Sequence, residues 1–333
     1  MKMNIKSNHQ APMVLGALTA VATLAVAIPA VYSQSAAVRV DGSSTVFPVT
    51  QAAAEGFQKT GKGRVTVGVS GTGGGFQKFC RGETDISNAS RPIKKKEMAA
   101  CKSAGINYIE IPIAFDGITV VVHPQNNWVT NLTTAELKKI WEPAAQGKVT
   151  KWNQIRSGLP NQALKLFGPG TKSGTFDYFT EAINGKSGVT RTDFTASEDD
   201  NVLVNGVARD KGGLGYFGYD YYVANKNKLK AVAVNGVLPS DATIISGKYN
   251  PLSRPLFIYV NAKSIDKPAV KDFVRYYITN GAAIAKKGKA IPLPSSAYNA
   301  ITSRFNSKQT GTVFGGEEKI GATVNDVLAK PKN

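Results

Sequence analysis

Apolar positions along the first third of the chain fall into short alternating runs separated by stretches with helical spacing. Val38-Arg-Val40 and Arg64-Val-Thr-Val-Gly-Val69 alternate as strands do. Between them Val49, Ala53, Ala54 and Phe57 share one helical face, which predicts a helix from Phe47 to Phe57, and another begins across Phe76 to Phe79. Asp85 to Arg91 and Tyr108 to Ile113 read as further short strands. Ile118-Thr-Val-Val-Val122 and Pro255-Leu-Phe-Ile-Tyr-Val260 are near-continuous apolar runs, the pattern of strands covered on both faces. Thr133-Thr-Ala-Glu136 is a capping box, in which hydroxyl and carboxylate satisfy reciprocal backbone donors, and it opens a helix through Trp141. Lys165 to Phe167 is a strand, Phe176 to about Ile183 a helix, Gly212 to Gly218 a tight turn into a buried strand, and Lys267 to Ile278 an amphipathic helix. Strands alternating with helices imply parallel pairing and the α/β class.

Three polar segments interrupt this pattern, each just before a helical stretch: Asp41-Gly-Ser-Ser-Thr-Val-Phe-Pro48, Ser70-Gly-Thr-Gly-Gly-Gly75 and Gly170-Thr-Lys-Ser-Gly-Thr175. Small hydroxyl side chains and backbone N–H groups at a helix start form a cradle for an anion. Three of them point to one tetrahedral oxyanion held from several sides.

Composition places this site outside the cytoplasm. Lys2 and Lys6, an apolar stretch from Ala11 to about Ile28, and small residues to Ala37 have the layout of an export signal over residues 1–35. The roughly 300 residues that follow exceed the usual single core and favour two lobes. The formal charge is +18, and removing the two signal lysines leaves +16. That excess is dispersed rather than interleaved with aromatic residues, which suits steering of a small anion and argues against nucleic acid. Cys80 and Cys101, the two cysteines of an exported chain, are expected to pair as a disulfide closing a loop of about 20 residues.

Catalysis finds little support. His123 is the one histidine beyond the signal segment, at the end of an apolar strand, and no Gly-x-Ser-x-Gly elbow, His-Glu-x-x-His pair or metal-ligand cluster is present. Thr171-Lys172-Ser173 lacks the glycine that a nucleotide-binding P-loop places before its lysine. The reading is a binding protein, with no enzyme activity and no cofactor.

With Ser-Gly-Thr-Gly-Gly-Gly75, Asp85-Ile-Ser-Asn-Ala-Ser-Arg-Pro-Ile93, Ser173-Gly-Thr-Phe-Asp-Tyr-Phe179, Leu214-Gly-Tyr-Phe-Gly-Tyr219 and Ser253-Arg-Pro-Leu-Phe-Ile-Tyr-Val260 following the Gly-Ser-Ser-Thr-Val-Phe-Pro start in order, the chain resembles the periplasmic phosphate-binding proteins of ABC importers, of the PstS/SphX type. The resemblance implies a two-lobed periplasmic binding protein fold (type II) with mixed sheets and hinge-linked lobes. The expected lobes are residues 36–115 plus 255–333 and residues 116–254, with crossovers near Asp116 and Arg254. It also implies a soluble monomeric receptor that captures inorganic phosphate and hands it to a membrane permease. Carried over by motif, Ser44, the Thr45 hydroxyl, the Val46 amide, Thr72, Ser173, Gly174 and Thr175 hold the ion.

Two departures from the family pattern matter. Some members carry an aspartate where this chain has Arg91, and an arginine where it has Pro169. A compensating exchange is expected, with Ser90 and Arg91 supplying the cationic fork. Asp116, with Asp200 second, is the expected acceptor for the phosphate proton, which sulfate lacks. Sulfate or arsenate as the ligand, and a periplasmic phosphatase, are the alternatives.

Overall fold

A computed structural model of the chain describes residues 37–332 other than 172, 198, 318 and 320. The export signal read at residues 1–35 lies outside the described residues. The chain runs β1 (Val38–Gly42), α1 (Phe47–Gln58), β2 (Val65–Val67), α2 (Gly71–Cys80), β3 (Ile86–Ala89), α3 (Lys95–Ser103) and β4 (Tyr108–Val122). It continues through β5 (Asn131–Leu132), α4 (Thr134–Trp141), β6 (Lys165–Pro169), α5 (Gly174–Asn184), β7 (Thr195–Ser197), α6 (Asp200–Arg209), β8 (Gly213–Gly218) and α7 (Tyr219–Ala224). Then come β9 (Lys230–Ala231), β10 (Ala233–Val234), α8 (Asp241–Ile245), β11 (Ser253–Asn261), α9 (Pro268–Thr279), α10 (Gly281–Lys287), β12 (Ile291–Pro292), α11 (Ser295–Asn306) and α12 (Val324–Leu328).

The sheet is mixed, in the order β2-β1-β3-β11-β4-β8-β6-β7. β1 pairs in parallel with β2 and β3, and β6 with β7 and β8, as alternating strands and helices require. The antiparallel strands β4 and β11 join these two parallel sets. β11 runs beside β4 from Tyr108 to Gly117, and β8 takes over from Ile118 to Val122. The two strands expected at Tyr108–Ile113 and Ile118–Val122 are therefore one 15-residue strand, because its ladder changes partner without a break. In that ladder Asp116 faces Arg254 and Phe115 faces Pro255.

α2 begins at Gly71, earlier than its apolar spacing suggests, so the second glycine segment is itself the helix's first turn. Glycine is a poor helix former, by about 1 kcal/mol relative to alanine. Here close packing overrides propensity: a Cβ on Gly75 would lie 2.5 Å from the Gly42 Cα, so only glycine lets α2 approach β1 this closely. Asp41 joins these segments, accepting from the Ser70 hydroxyl and from Lys78 at 2.7 Å. A disulfide between Cys80 and Cys101 ties the end of α2 to α3. The capping box at Thr133 and Glu136 forms as expected. Trp141 of α4 meets Phe179 of α5 edge-on, and Phe179 stacks on Tyr216 at 3.6 Å, which fixes α5 against β8. Among the described residues no helix is long and apolar enough to cross a membrane.

Candidate functional site

The starts of α1, α2 and α5 meet at one cavity of about 320 Å³, lined by Ser43, Ser44 and Thr45 before α1, Gly71, Thr72 and Gly73 of α2, and Gly174 of α5. The first amides of a helix have no intrahelical acceptor, and the helix dipole places roughly half a positive charge there. These helices span 12, 10 and 11 residues; in α1 the Phe47 amide donates to the Ser43 carbonyl at 3.0 Å and Pro48 has no N–H, so α1 brings the hydroxyls of Ser44 and Thr45 while first-turn amides come from α2 and α5. The first and third segments touch directly. A Cβ on Gly174 would lie 2.0 Å from the Thr45 Oγ1, 2.7 Å from the Ser44 Oγ and 2.9 Å from the Thr45 amide nitrogen.

Arg254 is the cation that this geometry adds. It is 9% exposed at the start of β11 and lines the cavity. Its Nη2 donates to the Thr45 Oγ1 at 3.0 Å and to the Gly174 carbonyl at 3.3 Å, and its guanidinium stacks over the Tyr178 ring at 3.8 Å. Asp116 sits behind it, with Oδ2 3.4 Å from Nε and 3.5 Å from Nη2. Among the described residues Nη1 makes no hydrogen bond, so it remains a donor for an anion. The sequence held a signal for this residue: a charged side chain opening a strand that is buried throughout needs a polar purpose.

Six of the expected residues line the cavity: Ser44, Thr45, Thr72, Ser90, Arg91 and Gly174. Thr72 Oγ1 accepts from the Ser90 amide at 3.2 Å and shares a hydrogen bond with the Ser90 hydroxyl at 3.1 Å, which couples the second segment to β3. The cationic fork expected from Arg91 is closed on Glu97 instead, with Nη1 to Oε2 at 2.9 Å and Nη2 to Oε1 at 2.7 Å. Glu97 stands in the first turn of α3, and that turn brings its carboxylate back to the Arg91 guanidinium.

The other expected residues are placed differently. Val46 is fully buried and its amide is 3.4 Å from the Ser43 hydroxyl. Ser173 caps α5 by accepting from the Thr175 amide at 3.2 Å, which occupies that amide. Asp116 does not line the cavity, because Arg254 stands between; burial pushes its carboxyl up, opposed by Arg254. Asp200 opens α6 away from the cavity wall.

The carboxylates that do line the cavity are Asp177 and Glu181, one turn apart on α5. Burial pushes the Asp177 carboxyl up, while a hydrogen bond from the Ser187 hydroxyl at 3.1 Å and the nearby Arg254 charge pull it down. Glu181 lies 3.8 Å from Lys94, a contact at the cavity edge between α5 and the start of α3. Sequence spacing puts Asp177 and Glu181 on one helix face, but only the fold shows that this face meets the first segment.

Residues 29–280 match the sequence profile of a PBP superfamily domain. Over 321 residues the chain is 53% identical to protein SphX of Synechococcus elongatus, covering 95% of each. It is 38% identical over 276 residues to phosphate-binding protein PstS of Staphylococcus saprophyticus, covering 81% of this chain and 84% of that one. Among solved structures it is similar to a possible phosphate-binding protein from Planctomyces limnophilus, at 47% identity and a TM-score of 0.77 over 83% of this chain and 99% of that one. It is also similar to a putative phosphate ABC transporter substrate-binding protein with bound phosphate from Clostridium perfringens, at 26% identity and a TM-score of 0.57 over 78% and 100% of the two chains.

Proposed function

The chain belongs to the PBP superfamily together with SphX and PstS, and from that membership we propose that it is a periplasmic receptor that captures inorganic phosphate and delivers it to an ABC permease. The observation that carries the reading is the meeting of three helix starts and Arg254 at one cavity. Orthophosphate offers four oxygens to be met by hydroxyls of Ser44, Thr45 and Thr72, by first-turn amides of α2 and α5, and by Nη1 of Arg254. In this reading the protein binds phosphate without turning it over and acts as a monomer.

Residues 36–115 with 255–333 form one lobe in this reading, and residues 116–254 the other. Asp116 and Arg254, opposite each other on β4 and β11, mark the crossover about which the lobes close. Closing seats Gly174 of one lobe on Thr45 of the other, as the close approach of these residues supports.

Phosphate and sulfate differ by a proton, so discrimination needs an acceptor facing the ion. Asp177 serves better than Asp116, since it lines the cavity and Asp116 does not. A carboxylate facing an oxygen without a proton is left unpaired, at a cost of about 1–3 kcal/mol or more. Calorimetric titration of the protein freed of residues 1–35 with phosphate, sulfate and arsenate tests the reading, alongside a chromogenic phosphoester as a turnover substrate. Phosphate binding without turnover is expected, with Asp177→Asn narrowing the gap to sulfate. Sulfate binding as tightly as phosphate, or hydrolysis of the ester, would replace this function with one of the alternatives.

A further inference from the structure

On the side of the crossover strands away from the anion cavity lies a second cavity of about 280 Å³. Its floor is Phe115-Asp116-Gly117 of β4. One wall is α7, through Tyr219, Asp220 and Val223, with Asp241 at the start of α8; the facing wall is Lys286 of α10 and the stretch from Lys289 to Pro292. Phe115, Val223, Ile291 and Pro292 make much of the surface apolar, and Val223 is 43% exposed.

The charges here are unevenly matched. Asp116 is answered by Arg254, and Asp241 interacts with the Tyr219 hydroxyl. Asp220 interacts with the Tyr221 backbone amide and has Lys289 only at 3.9 Å, because that ammonium is turned onto Tyr221, donating to its hydroxyl at 2.7 Å and lying 3.9 Å from the ring centre. Asp220 also faces the like charge of Asp116. Lys286 is exposed and carries its charge in water, so a largely apolar chamber with a loosely paired carboxylate is matched to a cation with a hydrocarbon body.

We propose that this rear cavity binds a small organic ammonium ion, with its nitrogen on Asp220 and its apolar part against Phe115, Val223 and Ile291, and that the occupant strengthens phosphate binding. The coupling rests on the two-lobe phosphate receptor proposed above. The α7 wall then belongs to one lobe and the α10 wall to the other, with the crossover strands between them. Gly174 against Thr45 marks the anion cleft as closed in front. Rotation about the crossover that opens the front brings the rear walls together. A ligand that fits the rear cavity at its present width therefore opposes opening, and linkage requires phosphate and amine to strengthen each other by the same factor.

The test uses 2-phenylethylammonium chloride as the probe, titrated calorimetrically into the protein with and without saturating phosphate. The phosphate-loaded form is expected to bind it about tenfold more tightly than the phosphate-free form, and saturating amine should raise phosphate affinity by that factor. Asp220→Asn should weaken the amine at least tenfold while phosphate titrated alone binds as before. Val223→Trp, which fills the chamber from an exposed position, should block the amine. The uncharged 2-phenylethanol should bind at least tenfold more weakly. No amine binding to protein that does bind phosphate, equal amine affinity with and without phosphate, or indifference to Asp220→Asn would each overturn the proposal. Failure of phosphate to bind in the arm without amine would instead remove the receptor reading itself.

Discussion

Gly174→Ala separates cleft closure from fold stability. Position 174 begins α5, and its φ lies outside the left-handed region, so alanine can adopt the same backbone. Alanine also restricts the unfolded chain, which stabilises by about 0.4–1 kcal/mol where the native backbone permits it. The ligand-free protein with an open cleft should therefore melt at the same temperature as the parent or slightly higher. Closing is another matter. The added methyl would stand 2.0 Å from the Thr45 Oγ1, 2.7 Å from the Ser44 Oγ and 2.9 Å from the Thr45 backbone nitrogen.

Rotation of Thr45 cannot relieve all of this. Its hydroxyl is held by Arg254 at 3.0 Å, and the third contact is with main chain, so α5 or the start of α1 must move. Overpacking of this kind costs about 1–3 kcal/mol, which is roughly a 5- to 150-fold loss of phosphate affinity. Calorimetry gives the affinity, and melting with and without phosphate gives an independent measure, since a ligand bound only by the native state raises the melting temperature according to its affinity. Phosphate affinity within twofold of the parent, with an unchanged ligand-induced melting shift, would refute closure on Gly174.

Arg254→Gln should weaken phosphate binding by roughly 10- to 150-fold, the worth of a charged hydrogen bond, and should destabilise the fold by leaving Asp116 buried without its cation. Adding Asp116→Asn should recover stability in urea melts but not affinity; recovery of both would remove Arg254 from the anion. Replacing Cys80 and Cys101 together by alanine should cost about 3 kcal/mol of unfolding free energy, from the loop of about 20 residues that the bond closes. Burial pushes the Asp220 carboxyl up to about 6 from its ordinary 3.8, so the folded state holds this proton more tightly than the unfolded chain. Its contribution to stability is therefore greatest below about pH 4 and falls as pH rises towards 6, and Asp220→Asn should raise the melting temperature more at pH 7.5 than at pH 4.5.

The elements around the site were legible where one local signal dominated. Apolar spacing located α1 and α9, the Thr133–Glu136 box located α4, and the continuous runs located the second half of β4 and most of β11. Legibility stopped where a contact distant in sequence overrode the local one. Asp116-Gly117 reads as a break between strands, yet β11 pairs across it. The glycines from 71 to 75 read as the segment before a helix that begins at Phe76, yet with Gly75 packed on Gly42 they form its first turn. Arg91, expected to supply the cationic fork in exchange for Pro169, lines the cavity with its guanidinium paired to Glu97 of α3.

Arg254, which lines the cavity with Arg91 and Lys94, stands 209 residues from Thr45 in sequence, so its contact with the first segment is not legible in either segment alone. In the proposed two-lobe reading its position also makes binding and closure one event. Arg254 starts β11 beside Asp116 of β4 at the crossover, and its Nη2 donates both to the Thr45 hydroxyl before α1 and to the Gly174 carbonyl of α5. Those two acceptors belong to segments on opposite sides of the cleft in the proposed lobes, so one guanidinium can hold both only when the lobes are together. An anion on Nη1 adds a third acceptor to the same rigid plane and strengthens the grip that keeps the cleft shut. A lysine there has its charge at a point and cannot span the three directions, so Arg254→Lys should keep net charge and solubility yet lose phosphate affinity nearly as far as Arg254→Gln.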